Sequence, residues 1–72
     1  MPKLHSSKHI QKVLEAHGFF IVSQKGSHVK LRTSGEQVLT VILPAGRKEM
    51  PYGTFRSILR QSKLTEEAFH EA

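Results

Sequence analysis

The segment Ser27-His28-Val29-Lys30-Leu31-Arg32-Thr33 alternates strictly between polar and apolar side chains. This period of two predicts a β-strand with one face on a core and the other in solvent. The valine and the leucine are expected to face the core, whereas His28, Lys30 and Arg32 share the outer face. The sequence therefore predicts a sheet that exposes one histidine and two cations in a row.

Two more strands are predicted, one on each side of this segment. Residues 19–22 are β-rich and too short for a helix between two glycines, and residues 37–43 form an apolar stretch ending at a proline. Short connections at Lys25-Gly26 and Ser34-Gly35-Glu36 join the three strands. Strands joined this closely are expected to form an antiparallel three-stranded meander.

Helices are predicted before and after the strands. Ser6 or Ser7 can cap a first helix over about residues 8–17. Pro51 suits the first position of a second helix, and Thr65 can cap a short third one. The expected fold is α+β and two-layered, with the α-β-β-β-α order of a double-stranded-RNA-binding domain and a short extra C-terminal helix. We expect residues 1–72 to form a single domain.

Composition restricts the possible functions. The chain has 72 residues, no cysteine and a net charge of +5. A domain this small has little apolar material to enclose a cofactor, and it can form neither a disulfide nor a thiolate nucleophile. No cofactor is therefore expected, and a surface function is favoured. The basic balance favours a polyanionic partner. The absence of a long apolar run predicts a cytoplasmic protein without a membrane partner.

The predicted outer face of the central strand could carry out chemistry on RNA. Side chains two apart on a strand lie about 7 Å apart, close to the spacing of successive RNA phosphates. Lys30 and Arg32 could bind phosphates, and His28 could act as general acid or base at neutral pH. RNA supplies its own nucleophile, the 2′-hydroxyl, so this route requires no metal. A basic strand with an ordinary surface histidine is the simpler alternative.

Two loops add candidate RNA-binding residues. Lys25, Gly26 and Ser27 precede His28, and their backbone amides could face a phosphate. They could equally form a plain hairpin turn. Arg47 and Lys48 add two cations after the third strand.

The other histidines give a weaker signal. His5, His9, His17 and His70 are expected to be solvated side chains rather than ligands. His5 and His9 could chelate a metal only if the first helix began earlier than predicted. The dispersed glutamates argue against a two-metal nuclease, and no metal site is expected.

Four segments together resemble the HicA toxin family in order and spacing, from about Ser6 to Phe69. They are Gly18-Phe19, Gln24-Lys25-Gly26-Ser27-His28, Gly53-Thr54-Phe55-Arg56-Ser57-Ile58-Leu59 and Leu64-Thr65-Glu66-Glu67-Ala68-Phe69. The resemblance implies a double-stranded-RNA-binding-domain-like fold and a ribosome-independent mRNA interferase of a type II toxin–antitoxin system. The family's catalytic histidine falls on His28. The implied partner is a HicB antitoxin that blocks the active surface and also supplies the contact with operator DNA.

The chain departs from the family pattern at two positions. Many members carry a histidine where this chain has Gly46. If that histidine assists catalysis, this chain is expected to be slower or to use Arg47 or Lys48 instead. Members also tend to carry glycine where this chain has Lys63. A left-handed backbone there would cost a non-glycine residue about 1 kcal/mol.

Two other functions fit the same residues. A non-catalytic RNA-binding module of double-stranded-RNA-binding-domain type would also show a basic face. An interaction protein could use that face for an acidic protein partner, and it would bind no RNA in a salt-dependent manner.

Overall fold

The computed structural model describes residues 4–70, so both ends of the domain predicted over residues 1–72 lie outside the described part. The elements in chain order are α1 Ser7–Ala16, β1 Phe20–Lys25, β2 His28–Arg32, β3 Thr40–Pro44, α2 Tyr52–Ser62 and α3 Glu66–His70. The predicted α+β class and the α-β-β-β-α order with a short extra helix are confirmed. Among the described residues, no helix is long and apolar enough to cross a membrane.

The sheet is the predicted antiparallel meander, in the order β1-β2-β3. The central strand β2 places His28 opposite Lys25 of β1 on one side and opposite Pro44 of β3 on the other. A bulge between Ile21 and Ser23 adds one residue to β1. Because residues paired across antiparallel strands share a face, this register fixes the neighbours of every outer side chain.

The helices and the sheet enclose one apolar core. Val29 and Leu31 are buried, as predicted, and they alternate with the polar residues of β2. The buried apolar side chains come from both layers: Ile10, Val13, Leu14, Phe19, Val29, Leu31, Val41, Leu43, Met50, Phe55, Ile58 and Phe69. The helices pack over β3, while all six residues of β1 stay exposed. One face of the sheet is thus covered and the other is open to solvent.

The helix ends follow the predicted signals closely. Ser6 caps α1, since its hydroxyl oxygen accepts a hydrogen bond of 3.1 Å from the His9 amide. The helix begins one residue earlier than predicted, at Ser7. Pro51 stands just before α2 rather than at its first helical position, and it provides no side-chain cap. Lys63 ends α2 with φ 59, so the left-handed backbone considered for this residue is present.

Two strand boundaries differ from the prediction. β1 continues to Lys25, because its polar second half still pairs with β2. β3 begins only at Thr40, because a side chain satisfies the backbone of the residue before it. The Leu39 amide donates a hydrogen bond of 2.9 Å to the Thr33 hydroxyl. Val38 is 56% exposed, so the apolar stretch contains a residue that packs on no core. Apolar character alone therefore overestimated the length of β3.

Candidate functional site

The outer face of the sheet is a grid of three rows, one residue from each strand in every row. From the hairpin end, the rows are Lys25, His28 and Pro44, then Ser23, Lys30 and Ile42, then Phe20, Arg32 and Thr40. His28 and Arg32 are exposed and Lys30 is half-buried. The predicted row of histidine and cations is therefore present on the central strand.

His28 lies where three chain segments meet. The β1–β2 hairpin has a two-residue loop in which Gly26 adopts φ 58, at the position that type II′ turns assign to glycine. The carbonyl oxygen of Ser27, the second loop residue, accepts a hydrogen bond of 2.6 Å from the Ala45 amide. This bond holds the β3–α2 loop, residues 45–51, against the hairpin. The loop therefore begins directly beside His28.

Ser7 fixes the same loop from the other side. Its side chain is only 4% exposed, and its hydroxyl donates a hydrogen bond of 2.7 Å to the Pro44 carbonyl oxygen. The hydroxyl oxygen also accepts a bond of 3.0 Å from the Arg47 amide. The Ser7 amide in turn donates to the Arg47 carbonyl oxygen at 2.9 Å. The start of α1 thus anchors the backbone that presents Arg47.

The charge around His28 has a single sign. None of the three strands contains an acidic residue, and the sheet contributes Lys25, Lys30 and Arg32. Within residues 4–70 no lysine or arginine is ion-paired with a carboxylate; the ion pair present there joins His70 to Glu66 at 3.8 Å. The cations of the face are therefore available to an external anion.

The structure brings most of the predicted site residues together. Lys25, Gly26 and Ser27 form the hairpin beside His28, and Arg47 follows in the adjoining loop. Lys30 and Arg32 continue the row along β2, where the Arg32 Nε donates a long bond of 3.4 Å to the Thr40 hydroxyl. Lys48 is different, because it lines a pocket with residues before α1, in the first turn of α1 and in α3.

Sequence reasoning did not anticipate two apolar residues on the outer face. Phe20 lies opposite Arg32, and Ile42 lies opposite Lys30. Both are exposed, at 46% and 39%. The strand register would have placed them there, but the bulge in β1 could not be located from the sequence.

The expectation that the histidines are solvated is wrong for two of them. His5 and His9 are half-buried, and their rings stack with centroids 4.9 Å apart. The Nε2 of His9 donates to the Phe69 carbonyl oxygen at 2.6 Å, which joins α1 to α3. His17 and His70 are exposed. Within residues 4–70 no group of three or more histidine and acidic side chains is arranged to hold a metal ion.

Gly46 adopts φ 77, which lies in the left-handed region. A histidine in this backbone would be strained by about 1 kcal/mol, although no atom lies within 4 Å of the place where its Cβ would stand. The loop of this chain thus has a conformation suited to glycine.

The fold and the site define a class: small α+β proteins that expose a basic sheet face with one histidine. The family model described as HicA toxin of bacterial toxin-antitoxin matches residues 7–64, which include α1, the whole sheet and α2. The chain belongs to the HicA toxin family, whose members are toxins paired with antitoxins. No curated protein matches the chain.

Proposed function

We propose that this toxin is a metal-independent endoribonuclease that cleaves mRNA in the cytoplasm and uses His28 for proton transfer. One observation carries the proposal: His28 is exposed between Lys25 and Pro44, on a sheet face whose charged groups are all cationic. An imidazole surrounded by cations suits a phosphodiester, because the cations offset the charge that builds on its oxygens.

The cations on the outer face bind the RNA backbone. Lys30 and Arg32 follow His28 at intervals of two residues, so they can contact successive phosphates. The amides of Gly26 and Ser27 and the side chains of Lys25 and Arg47 surround the hairpin end, whereas Lys48 lines a separate pocket. Within the part of the chain that the structure describes, none of these lysines and arginines has to break an ion pair before it binds. Binding is therefore expected to be strongly salt-dependent.

The proposed reaction is an intramolecular transesterification. The ribose 2′-oxygen attacks the adjacent phosphorus, and the bond from phosphorus to the 5′-oxygen of the next nucleotide breaks. One proton leaves the 2′-hydroxyl and one is added to the 5′-oxygen, which gives a 2′,3′-cyclic phosphate and a 5′-hydroxyl. His28 takes or supplies one of these protons, as an imidazole can near neutral pH. Lys25 adds positive charge near the phosphate.

An antitoxin of HicB type is the expected protein partner. A toxin that carries an open basic face is inhibited most simply by a protein that covers this face with acidic or polar groups. Such a partner would bury His28 and exclude RNA. Contact with operator DNA is then made by the antitoxin, and this chain takes part only through it.

Induced expression in bacteria tests the proposal. Wild type should arrest growth and fragment mRNA, and His28→Ala should do neither. His17→Ala is a matched control, because His17 is exposed at the far end of α1. Equal mRNA damage by wild type and His28→Ala would contradict the role of His28. Intact mRNA with wild type would favour the alternative of a non-catalytic RNA-binding module, for which the basic outer face is sufficient.

A further inference from the structure

A pocket of about 420 Å³ borders the β3–α2 loop, which contributes Lys48 to its lining. It is bounded by the residues before α1, the first turn of α1, the loop and α3. The side chains that matter for its chemistry are His5, His9, Lys48, Phe69 and His70. The proposed function assigns no role to the three histidines.

Among residues 4–70, the side chains that line this histidine pocket are neutral or positive, and none of them is a carboxylate. The His5 ring stacks on His9 with an interplanar angle of 19° and meets His70 edge-on at 5.1 Å. His9 is held by its hydrogen bond to Phe69, and a carbonyl oxygen can only accept, so its Nε2 carries a proton. Glu66 borders the cluster through His70, but it also accepts a hydrogen bond of 3.0 Å from the Tyr52 hydroxyl.

Such a lining selects an anion. The Lys48 ammonium is a permanent cation that can donate hydrogen bonds to a phosphate oxygen. The exposed imidazole of His70 can donate another, since its contact with Glu66, at 3.8 Å, is longer than a hydrogen bond. The pocket is large enough for a nucleotide, since ligand sites typically occupy about 300–1,000 Å³. The exposed ring of His70 provides aromatic surface beside the polar groups, as nucleotide-binding surfaces commonly do, whereas the ring of Phe69 is buried in the core.

The chain path limits how far this pocket lies from His28. The Cα atoms of His28 and Pro44 are paired across the sheet, at about 5 Å. Lys48 follows Pro44 by four residues, which span at most about 14 Å. The two sites are therefore within about 20 Å of each other. Successive RNA phosphates lie about 7 Å apart, the same spacing as alternate residues of a strand. About three such intervals span the distance between the sites.

We propose that the histidine pocket is a second phosphate-binding site, which holds a backbone phosphate of the RNA within three nucleotides of the bond at His28. The inference rests on the proposed function for its ligand, since it takes RNA as the molecule that reaches both sites. The β3–α2 loop connects the two sites: Ala45 is hydrogen-bonded to Ser27 beside His28, and Lys48 lines the pocket.

Binding of 2′-O-methyl oligoribonucleotides of increasing length, from dinucleotide to octanucleotide, tests the inference. These RNAs lack the nucleophile and stay intact, so the measurement does not depend on cleavage. Affinity should rise in a step of about tenfold when the RNA becomes long enough to reach the pocket. The double variant Lys48→Gln/His70→Gln should lose this step and keep the affinity for the shortest RNAs.

Lys12→Gln/His17→Gln is the matched control, since it removes the same two side-chain types from exposed positions of α1 outside the pocket. It should keep the step. For the longest RNA, the slope of log affinity against log salt should be shallower by about 0.7 in the pocket variant than in the control. Circular dichroism should show both variants folded, and Lys48→Gln alone, in an exposed loop, provides a milder second test.

Three results would overturn the inference: no step in wild type, a step that survives in the pocket variant, or a step lost equally in the control. Inorganic phosphate provides a further arm. If it shifts the NMR signals of His9 and His70 while no RNA does, the pocket takes free phosphate and the RNA assignment is wrong. Failure of the proposed function gives a different result. Unmodified RNA would then remain uncut, while the increase of affinity with RNA length would persist.

Discussion

Ser7 and Arg47 are joined by two reciprocal hydrogen bonds, from the Ser7 amide to the Arg47 carbonyl oxygen at 2.9 Å and from the Arg47 amide to the Ser7 hydroxyl at 3.0 Å. The contact spans 40 residues of sequence and fixes the loop beside His28 to the first turn of α1. The same hydroxyl donates to Pro44, the residue paired with His28. One small buried side chain thus couples the helix layer to the proposed active site.

We therefore expect Ser7→Ala to affect both stability and activity. The variant leaves the Pro44 carbonyl and the Arg47 amide without their partner, which should cost about 1–3 kcal/mol of unfolding free energy. It should also lower the RNA cleavage rate, because the loop is no longer held. Urea denaturation and a cleavage assay at a temperature where the variant is folded provide the two readouts.

Ser6→Ala is the control for this prediction. Ser6 caps the same helix through the His9 amide, and its loss should cost about 1 kcal/mol. Cleavage by folded Ser6→Ala should remain near that of wild type. If both variants lose activity alike, the effect comes from α1 as a whole, and the loop contact has no separate role.

Removing cations from β2 should weaken RNA binding. We expect Lys30→Gln and Arg32→Gln each to lower affinity for single-stranded RNA. Each should also reduce the slope of log affinity against log salt by about 0.7, the value for one lost phosphate contact. Arg60→Gln is the matched control, because Arg60 is exposed on α2 and bonded to Ser57. An equal loss with Arg60→Gln would mean that RNA responds to net charge rather than to the sheet face.

Lys63 is a site where stability can be gained. It ends α2 with φ 59 and ψ 20, a backbone that glycine adopts without steric cost. Lys63→Gly should raise the free energy of unfolding by about 1 kcal/mol. The melting temperature should rise by about 4–8 °C for a domain of this size. Unchanged or lower stability would show that the lysine side chain makes a contribution that offsets its backbone strain.

Tyr52 reports on the contact between α2 and α3. The hydrogen bond from its hydroxyl to Glu66 raises the pKa of the phenol above its ordinary value of 10.0. The neutral phenol is favoured in the folded state, so this contribution to stability is present below pH 10 and is lost as the pH rises through the folded pKa.

The chain has one tyrosine and no tryptophan, so the ultraviolet absorbance of the phenolate can be followed directly. Glu66→Gln should lower the pKa of Tyr52 relative to wild type, because it removes the carboxylate acceptor and its charge. The matched change Glu67→Gln, on the same helix, should leave the titration unchanged. A wild-type titration that coincides with that of Glu66→Gln would mean that the contact does not form in solution.

Periodicity predicted the central strand well, because one face of β2 is buried and the other is open. The alternation around Val29 and Leu31 is the direct mark of that asymmetry. β1 was harder to delimit, since it is exposed throughout and its sequence carries no such alternation. The start of β3 was predicted too early, before Val38, for a related reason. The apolar character of a residue does not show whether a core lies beneath it.

The site was predictable where its residues share one strand or the loops that adjoin it. His28, Lys30 and Arg32 follow from the period of two, whereas the contact of Ser7 with residues 44 and 47 depends on how α1 packs against the sheet. The histidine pocket is likewise tertiary, since His5 and His9 meet His70 only after α3 folds back onto α1. The spacing of His5 and His9 was its one visible signal in the sequence.

The most direct test of the central claim compares purified wild type and His28→Ala on the same RNA in the presence of a metal chelator. Wild type should cleave the RNA and leave 2′,3′-cyclic phosphate ends, and a 2′-deoxy substitution at the cleaved position should block the cut. His28→Ala should cleave about 10²–10⁴-fold more slowly, the usual contribution of a general acid or base, while its RNA affinity stays within about twofold of wild type. Equal cleavage by the two proteins, or cleavage that the chelator abolishes, would contradict the account.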